Sequence, residues 1–93
     1  MNNMFYSSMP SLDLHGETRD SARVLLSEFI NDNYKLGNTH IAIVHGIGEG
    51  ILKKEVHLFL KRSKLVISYK LDNFNVGCTL VELVSKFDKN AKM

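Results

Sequence analysis

Residues 40–52 read HIAIVHGIGEGIL, and this stretch decides the fold. Residues 40–45 are mostly apolar and β-branched between two histidines, which predicts a short buried strand. Glycine then occupies every second position of residues 46–50, which is typical of a tight turn. From Leu52 onward, apolar residues recur at helical spacing over about twelve residues. The stretch therefore predicts a strand that runs into a glycine-rich turn and then into a helix.

A half-buried strand and a long helix are predicted ahead of this stretch. Residues 12–15 read LDLH and alternate apolar with polar side chains, which is the period of a strand. Thr18 suits the N-cap position of a helix, and Gly37 suits the position just after its last residue. Between them, apolar residues recur at helical spacing, so we expect a helix over residues 19–36.

Two further strands are predicted behind the stretch. Leucine, isoleucine and tyrosine at the odd positions of residues 65–71 alternate with a second set of side chains, which predicts a third strand. Residues 77–84 predict a fourth strand. We divide the chain into a flexible N-terminal arm (residues 1–11), one domain (residues 12–85) and a basic C-terminal tail (residues 86–93).

The predicted order of elements is β-α-β-α-β-β. Strand–helix–strand units join parallel neighbours through right-handed crossovers, so both helices should lie on one face of the sheet. The last strand follows a short turn and should run antiparallel to its neighbour. The expected fold class is α/β (α+β), a two-layer sandwich with a four-stranded mixed sheet, both helices on one face and the other face open.

Length, cysteine content and hydropathy exclude several classes of protein. Ninety-three residues make one domain, and 44% hydrophobic residues suffice for one core. The single cysteine, Cys78, excludes a disulfide-rich secreted protein and a zinc site built on thiolates. No apolar run approaches the roughly 18 residues of a membrane span. The first ten residues lack the pattern of a signal peptide, so we expect a cytoplasmic protein without a membrane partner.

Charge is distributed unevenly along the chain. Residues 1–50 hold three basic and six acidic side chains, a net charge of −3, whereas residues 51–93 hold nine basic and four acidic side chains, a net charge of +5. Such asymmetry favours a polyanionic partner. A solvated basic face produces the same pattern, so this alternative stays open.

Candidate catalytic residues follow two of the predicted strands. Ligands of parallel α/β sheets bind beyond the carboxyl ends of the strands. Asp13 and His15 end the first strand, and a carboxylate beside an imidazole fixes the tautomer of the histidine and raises its basicity. His45 ends the second strand. Simple alternation puts His45 on the face of Ile41 and Ile43, so the three converge only if the strand ends at His45.

The glycine turn is the candidate phosphate site. Gly46, Gly48 and Gly50 let the backbone approach a phosphate closely, and the free N–H groups at the start of the following helix favour an anion. Lys53 and Lys54 add positive charge in the first helical turn. Glycines there can also serve tight packing alone. The turn lacks the spacing of a dinucleotide-binding loop, and the chain has no Walker motif, so no nucleoside triphosphate is expected as a partner.

These motifs together resemble one known family. Four segments of the chain have the order and spacing of the Smr (small MutS-related) domain: residues 12–16 (LDLHG), 45–50 (HGIGEG), 52–60 and 77–83 (GCTLVEL). The resemblance implies a fold similar to the C-terminal domain of translation initiation factor three. It also implies binding of RNA or DNA and, in many members, endonuclease activity, in some members on mRNA at stalled ribosomes.

Carried over position by position, the family's LDxH motif falls on Asp13 and His15, and its HGxGxG turn falls on residues 45–50. Lys53 takes the basic position after the turn, where arginine is commoner. This chain departs from the family where Glu49 puts a negative charge inside the turn. It departs again before Gly77, where it reads NFNV in place of a stretch that is often glycine-rich. The sequence contains no ATPase, coiled-coil or repeat portion, so we expect a stand-alone module.

The leading hypothesis is an endonuclease that hydrolyses phosphodiester bonds of RNA, or of DNA. His15 or His45 would act as general base or acid, Asp13 would orient His15, and the backbone N–H groups of residues 46–50 with Lys53 would hold the developing charge. With RNA, a 2′-hydroxyl can be the nucleophile without a metal. With DNA, water is required, and Asp13 would then hold a divalent ion such as Mg²⁺ or Mn²⁺; no other cofactor is expected.

Two alternatives to the endonuclease stay open. The same turn and basic helix would serve a non-catalytic module that binds RNA, DNA or the ribosome. The turn alone would serve a binder of small acidic metabolites or nucleotides, which predicts a closed pocket rather than an open basic face.

Overall fold

The computed structural model describes residues 9–87, which form four strands and two helices. The predicted order of elements is confirmed, with these bounds: β1 (Ser11–Asp13), α1 (Arg19–Leu36), β2 (His40–Val44), α2 (Ile51–Arg62), β3 (Val66–Leu71) and β4 (Cys78–Leu83). Most of the predicted arm and tail lies outside the described residues. At the start of the domain, β1 begins at Ser11, one residue earlier than predicted, and the Pro10 carbonyl accepts the Ala42 N–H at 3.0 Å.

The four strands form one mixed sheet in the order β1-β2-β4-β3. β1 pairs with β2 in parallel, and β4 pairs antiparallel with both β2 and β3. The antiparallel last strand is as predicted, but it separates β2 from β3, which we expected to be neighbours. The reason lies in its side chains. Cys78 and Leu80 lie on one face of β4 and Val81 and Leu83 on the other, which suits a central strand, whereas the largely exposed β3 suits an edge.

Both helices pack on the same face of this sheet, as predicted. They cover the side chains of β2 and β4 that point toward them, and Arg23 of α1 also pairs with Glu55 of α2 at 2.9 Å. The core cluster consists of buried aliphatic side chains from the helices, from the strands and from the residue after β1: Leu14, Ala22, Leu26, Ile30, Ile41, Ile43, Val56, Leu60, Val81 and Leu83.

Local signals in the sequence fix the ends of α1 at the predicted residues. The Thr18 hydroxyl accepts the Ser21 N–H, and the Ser21 hydroxyl accepts the Thr18 N–H, both at 3.1 Å. This reciprocal capping satisfies two N–H groups that have no helical acceptor. Gly37 ends the helix with a φ of 86°, in the left-handed region that favours glycine.

The predicted alternation along β3 is interrupted. A bulge between Val66 and Ser68 shifts the register against β4, so Val66 packs against the core while Ile67 is exposed. Tyr69 and Leu71 return to the helix-covered face, opposite Val81 and Thr79 of β4. A bulge of this kind is a local event at a sheet edge, and the period of the side chains does not reveal it.

Neither helix within residues 9–87 combines the length and the apolar character that crossing a bilayer requires.

Replacing Leu26 of α1 with alanine tests the position of the core. Leu26 is 0% exposed, so we expect Leu26→Ala to lower the free energy of unfolding by about 2–5 kcal/mol through lost burial and a residual cavity. Val24→Ala is the matched control, because Val24 lies on the same helix and is 58% exposed. Its expected effect is within about 0.5 kcal/mol. Urea denaturation of both variants measures the difference, and equal losses would contradict this packing.

Candidate functional site

Three loops meet at one edge of the sheet. β1, β2 and β3 run in the same direction, since β1 is parallel to β2 while β4 is antiparallel to both β2 and β3. Their carboxyl ends therefore share an edge. Residues 14–18 follow β1, residues 45–50 follow β2, and residues 72–77 follow β3. Helix α2 also begins at this edge.

A hollow of about 310 Å³ lies between the first two of these loops and the start of α2. His15 and Gly16 line it on one side and residues 45–53 on the other. The structure thus brings together most of the predicted site: His15, His45, the three glycines and Lys53. Of the predicted residues, Asp13 and Lys54 are not part of its wall.

The Asp13 carboxylate shapes the backbone after β1. Its Oδ1 accepts the backbone N–H of His15 at 2.9 Å, a turn that aspartate commonly forms. We expected this carboxylate to orient the His15 imidazole, but no hydrogen bond reaches that ring from any of residues 9–87. The ring is exposed at the hollow, and its Cδ2 lies 3.7 Å from the place that a Cβ of Gly46 would occupy.

His45 lies beneath the glycine turn, on the helix-covered face that simple alternation predicts. It is 4% exposed, its Nδ1 hydrogen-bonds the Gly46 carbonyl at 2.9 Å, and its Nε2 hydrogen-bonds Thr79 Oγ1 at 2.9 Å. A carbonyl only accepts, so Nδ1 carries the proton. In the neutral ring Nε2 then accepts the Thr79 hydroxyl proton. Both nitrogens of His45 are therefore engaged within the fold.

His57 of α2 extends this hydrogen-bonded chain, although its place among the lysines of that helix is typical of a surface residue. Its Nε2 hydrogen-bonds Thr79 Oγ1 at 2.8 Å, and its ring packs 5.0 Å from that of Tyr69. Since the Thr79 proton goes to His45, His57 must donate to the Thr79 oxygen. Thr79 was the available signal, because an inward-facing polar residue in a buried strand needs a partner.

Burial lowers the pKa of His57 below its ordinary value, and the nearby charges of His45 and Lys53 lower the pKa further. His45 and His57 have ring centroids 6.0 Å apart. Protonating both rings would place two cations side by side and direct two N–H donors at the Thr79 oxygen. The pair therefore favours at least one neutral ring.

The glycine turn is held by the residue before β4. The Gly77 carbonyl accepts the N–H groups of His45 at 2.9 Å and of Gly46 at 3.0 Å. A Cβ on Gly77 would lie 3.3 Å from the Gly46 backbone, a tight contact that would press on the turn. The Gly46 N–H, which we expected to face a phosphate, is thereby committed to the fold.

The start of α2 nevertheless has free N–H groups at the hollow. The backbone N–H groups of residues 51–53 find no acceptor within residues 9–87, and the first helical bond of α2 runs from the Lys54 N–H to the Gly50 carbonyl at 3.0 Å. Gly50 takes the N-cap position with a φ of 80° and has no side chain to cap the helix. Such an uncapped helix start with Lys53 beside it favours an anion.

Metal ligands are sparse around the hollow. No three histidine, cysteine, aspartate or glutamate side chains group as a metal site anywhere in residues 9–87. Asp13, the one residue that we expected to hold a divalent ion, therefore belongs to no group of three such side chains within these residues.

Comparison with known families identifies this arrangement. The chain matches the family described as the Smr domain over residues 12–84, which include both strand-end motifs and the glycine turn. The chain belongs to the Smr family. The resemblance seen in the sequence is thereby confirmed, and so is the α+β fold with its four-stranded mixed sheet.

Relatives of this Smr domain include much longer proteins. It is 39% identical over 83 residues to "Endonuclease MutS2" of Caldanaerobacter subterraneus subsp. tengcongensis, covering 86% of this chain and 10% of the relative. It is 41% identical over 66 residues to the protein of the same name from Agathobacter rectalis, covering 71% of this chain and 8% of the relative. The chain thus spans about a tenth of the length of these relatives.

Solved structures share the fold of this Smr domain. The Smr domain of Thermus thermophilus MutS2 superposes with a TM-score of 0.79 at 26% identity, covering 82% of this chain and 99% of that one. YdaL, a stand-alone small MutS-related protein from Escherichia coli, superposes with a TM-score of 0.77 at 22% identity, covering 82% of this chain and 65% of that one.

The lowered pKa of His57 predicts that acid weakens the Smr fold. The unfolded chain binds a proton at His57 near the ordinary pKa of 6.5, before the folded chain does, so the contribution of His57 to stability is lost as the pH falls through that value. His57→Gln removes this titration. We expect the difference in unfolding free energy between the wild type and His57→Gln to shrink from about pH 8 to about pH 5. A constant difference across this range would contradict the prediction.

Proposed function

We propose that this Smr domain binds nucleic acid and cleaves its phosphodiester bonds, with RNA favoured over DNA. One observation carries the proposal: the exposed His15 side chain lines a hollow together with Lys53 and the uncapped start of α2. An anion and a proton-transfer group are the two requirements of phosphodiester cleavage. The MutS2 relatives, whose name describes them as endonucleases, support the same chemistry.

The glycine turn binds the scissile phosphate in this proposal. Backbone N–H groups at the start of α2 donate to its non-bridging oxygens, and the ammonium of Lys53 adds positive charge. Because the Gly77 carbonyl and the His45 ring hold Gly46, these donors are preorganised before the ligand arrives. Glu49 is exposed in the same turn, so water screens its opposing charge.

His15 moves the proton. In RNA, the 2′-hydroxyl gives its proton to the His15 imidazole while its oxygen forms a bond to phosphorus. The bond from phosphorus to the 5′-oxygen breaks, and that oxygen takes a proton from solvent. The products are a cyclic phosphate and a 5′-hydroxyl, and no metal enters the step. The availability of this internal nucleophile is our reason for favouring RNA.

His45 and Asp13 act as positioning residues. His45 spends both ring nitrogens on Thr79 and Gly46, so we assign it to holding the turn rather than to exchanging a proton with the substrate. Asp13 fixes the backbone of His15, and through it the place of the imidazole. The 2′-hydroxyl is an internal nucleophile, so the proposed step gives Asp13 no metal to hold.

The source of the substrate follows from the family resemblance. We propose mRNA at stalled ribosomes as one substrate and the cytoplasm as the location of the protein, because some Smr members act there. The net charge of +5 on residues 51–93 supports attraction to a ribosomal or RNA surface.

Cleavage assays test the assignment of His15. We expect His15→Ala to slow cleavage of labelled RNA by about 10²–10⁴-fold while binding is retained, since proton transfer supplies a factor of that size. Asp13→Ala should slow it as well. His40→Ala is the matched control, because His40 is an exposed histidine at the start of β2, at the opposite edge of the sheet.

The assay is run on RNA, on the 2′-O-methyl version of the same sequence and on DNA, each with and without a chelator. Cleavage of RNA alone, in either condition, supports the proposed step. Unchanged cleavage by His15→Ala would contradict it. Binding by the wild type without cleavage on any substrate would replace the endonuclease with the non-catalytic module.

The two neighbouring lysines test whether the phosphate binds in the hollow. Lys53 lines the hollow, whereas Lys54 is exposed outside it. We expect Lys53→Ala to weaken RNA binding more than Lys54→Ala does and to reduce the salt slope of the affinity by about one. Fluorescence anisotropy over a series of salt concentrations measures both quantities. Equal effects of the two substitutions would indicate a diffuse basic face instead.

A further inference from the structure

The loop that hydrogen-bonds to the glycine turn carries an exposed aromatic side chain, which takes no part in the chemistry proposed above. Phe74 is 97% exposed at the tip of the loop over residues 72–77. A phenylalanine that contributes almost nothing to the core has no stabilising role in the fold. Its position is also where this chain departs from the glycine-rich stretch common in the Smr family.

The loop that carries Phe74 is held rigidly by its own side chains. Asp72 Oδ1 accepts the Phe74 N–H, Asn75 Oδ1 accepts the Gly77 N–H, and the Asn75 carbonyl accepts the Cys78 N–H, all at 3.0 Å. Asp72 also donates its own N–H to the Cys78 carbonyl at 3.0 Å. The aromatic ring is therefore presented from a preorganised loop rather than from a flexible one.

The same loop is joined to the glycine turn. Gly77 accepts two N–H groups from that turn, and Phe74 lies three residues earlier, so its Cα is within about 10 Å of that of Gly77. Ile47 and Ile51 line the hollow and are exposed as well. The edge thus combines an anion site, walled by backbone N–H groups, with apolar side chains beside it.

We propose that Phe74 stacks on an unpaired base of the strand whose phosphate lies in the glycine turn, so that the site selects single-stranded nucleic acid. The inference rests on the proposed function and names its substrate class. A phosphate and a planar base alternate along every strand, and surfaces that bind single strands pair a basic groove with aromatic side chains. In a duplex the base faces are covered by their neighbours, so Phe74 finds no partner there.

Four probes test this proposal in binding assays: a 2′-O-methyl RNA single strand, the same strand in a duplex, an abasic strand of equal length, and phospholipid vesicles. The 2′-O-methyl group removes the internal nucleophile, so binding is measured without cleavage. We expect Phe74→Ala to weaken binding of the single strand by about 5- to 150-fold, as loss of one stacked base does. Binding to the duplex and to the abasic strand should not change.

Two further variants serve as controls. Phe74→Trp keeps an aromatic face and should restore the affinity for the single strand. Phe87→Ala removes another exposed phenylalanine, 73% exposed and packed against Gly37 at the far end of α1, and should leave that affinity unchanged. Thermal unfolding of each variant shows whether the fold is retained.

The outcomes separate this inference from the proposed function. Intact binding of single strands by the wild type with no loss in Phe74→Ala overturns the stacking role alone. The stacking role is also overturned if Phe74→Ala loses as much affinity for the abasic strand as for the single strand. It is overturned as well if the wild type binds the duplex more tightly than the single strand. A loss of vesicle binding or of self-association in Phe74→Ala, with nucleic-acid binding unchanged, assigns Phe74 to a membrane or to a second copy. A wild type that binds no nucleic acid overturns both proposals.

Discussion

The pair of hydrogen bonds that the Gly77 carbonyl accepts from His45 and Gly46 is the constraint on which this site depends. A turn with glycine at every second position has the largest conformational entropy to lose on ordering. These two bonds fix the start of the turn to the residue that precedes β4. The remainder of the turn leads directly into α2. The turn is therefore held at both ends by neighbouring elements, although its glycines are conformationally free.

The insertion of β4 between β2 and β3 makes this constraint available. Only a strand adjacent to β2 can place a carbonyl at the end of β2 and a hydroxyl beneath it. Thr79 supplies that hydroxyl, and it joins His45 to His57 of α2. No buried side-chain nitrogen or oxygen within residues 9–87 lacks a hydrogen-bond partner. A polar cluster that is fully satisfied in this way rigidifies its surroundings instead of weakening the core.

The sequence predicts best the features that depend on neighbouring residues. Thr18 and Gly37 mark the ends of α1, and the glycine turn indicates both the end of β2 and the start of α2. The order of strands depends on pairing between distant segments, which periodicity does not contain. Only the apolar character of both faces of residues 78–83 hints that β4 is central.

The candidate site could likewise be predicted from the sequence only in part. Sequence motifs locate Asp13, His15 and His45, because each follows a strand. Alternation along β2 also indicates the inward face for His45, but it does not reveal the hydrogen bond to Thr79, which lies on a distant strand. The sequence does not predict the buried hydrogen bond of His57 either, for a related reason. Its partner Thr79 lies 22 residues away along the chain, and a histidine on a helix with lysines around it has the pattern of a solvated face.

The chemistry of the whole edge restricts what binds there more than any one residue does. A free phosphate would satisfy the N–H groups of the glycine turn but would leave Phe74, Ile47 and Ile51 in water. A hydrocarbon chain would cover those side chains but would leave the N–H groups at the start of α2 without acceptors, which is costly once water is displaced. A ligand that alternates an anion with a planar apolar group satisfies both demands within one repeat, and a single nucleic-acid strand has that repeat.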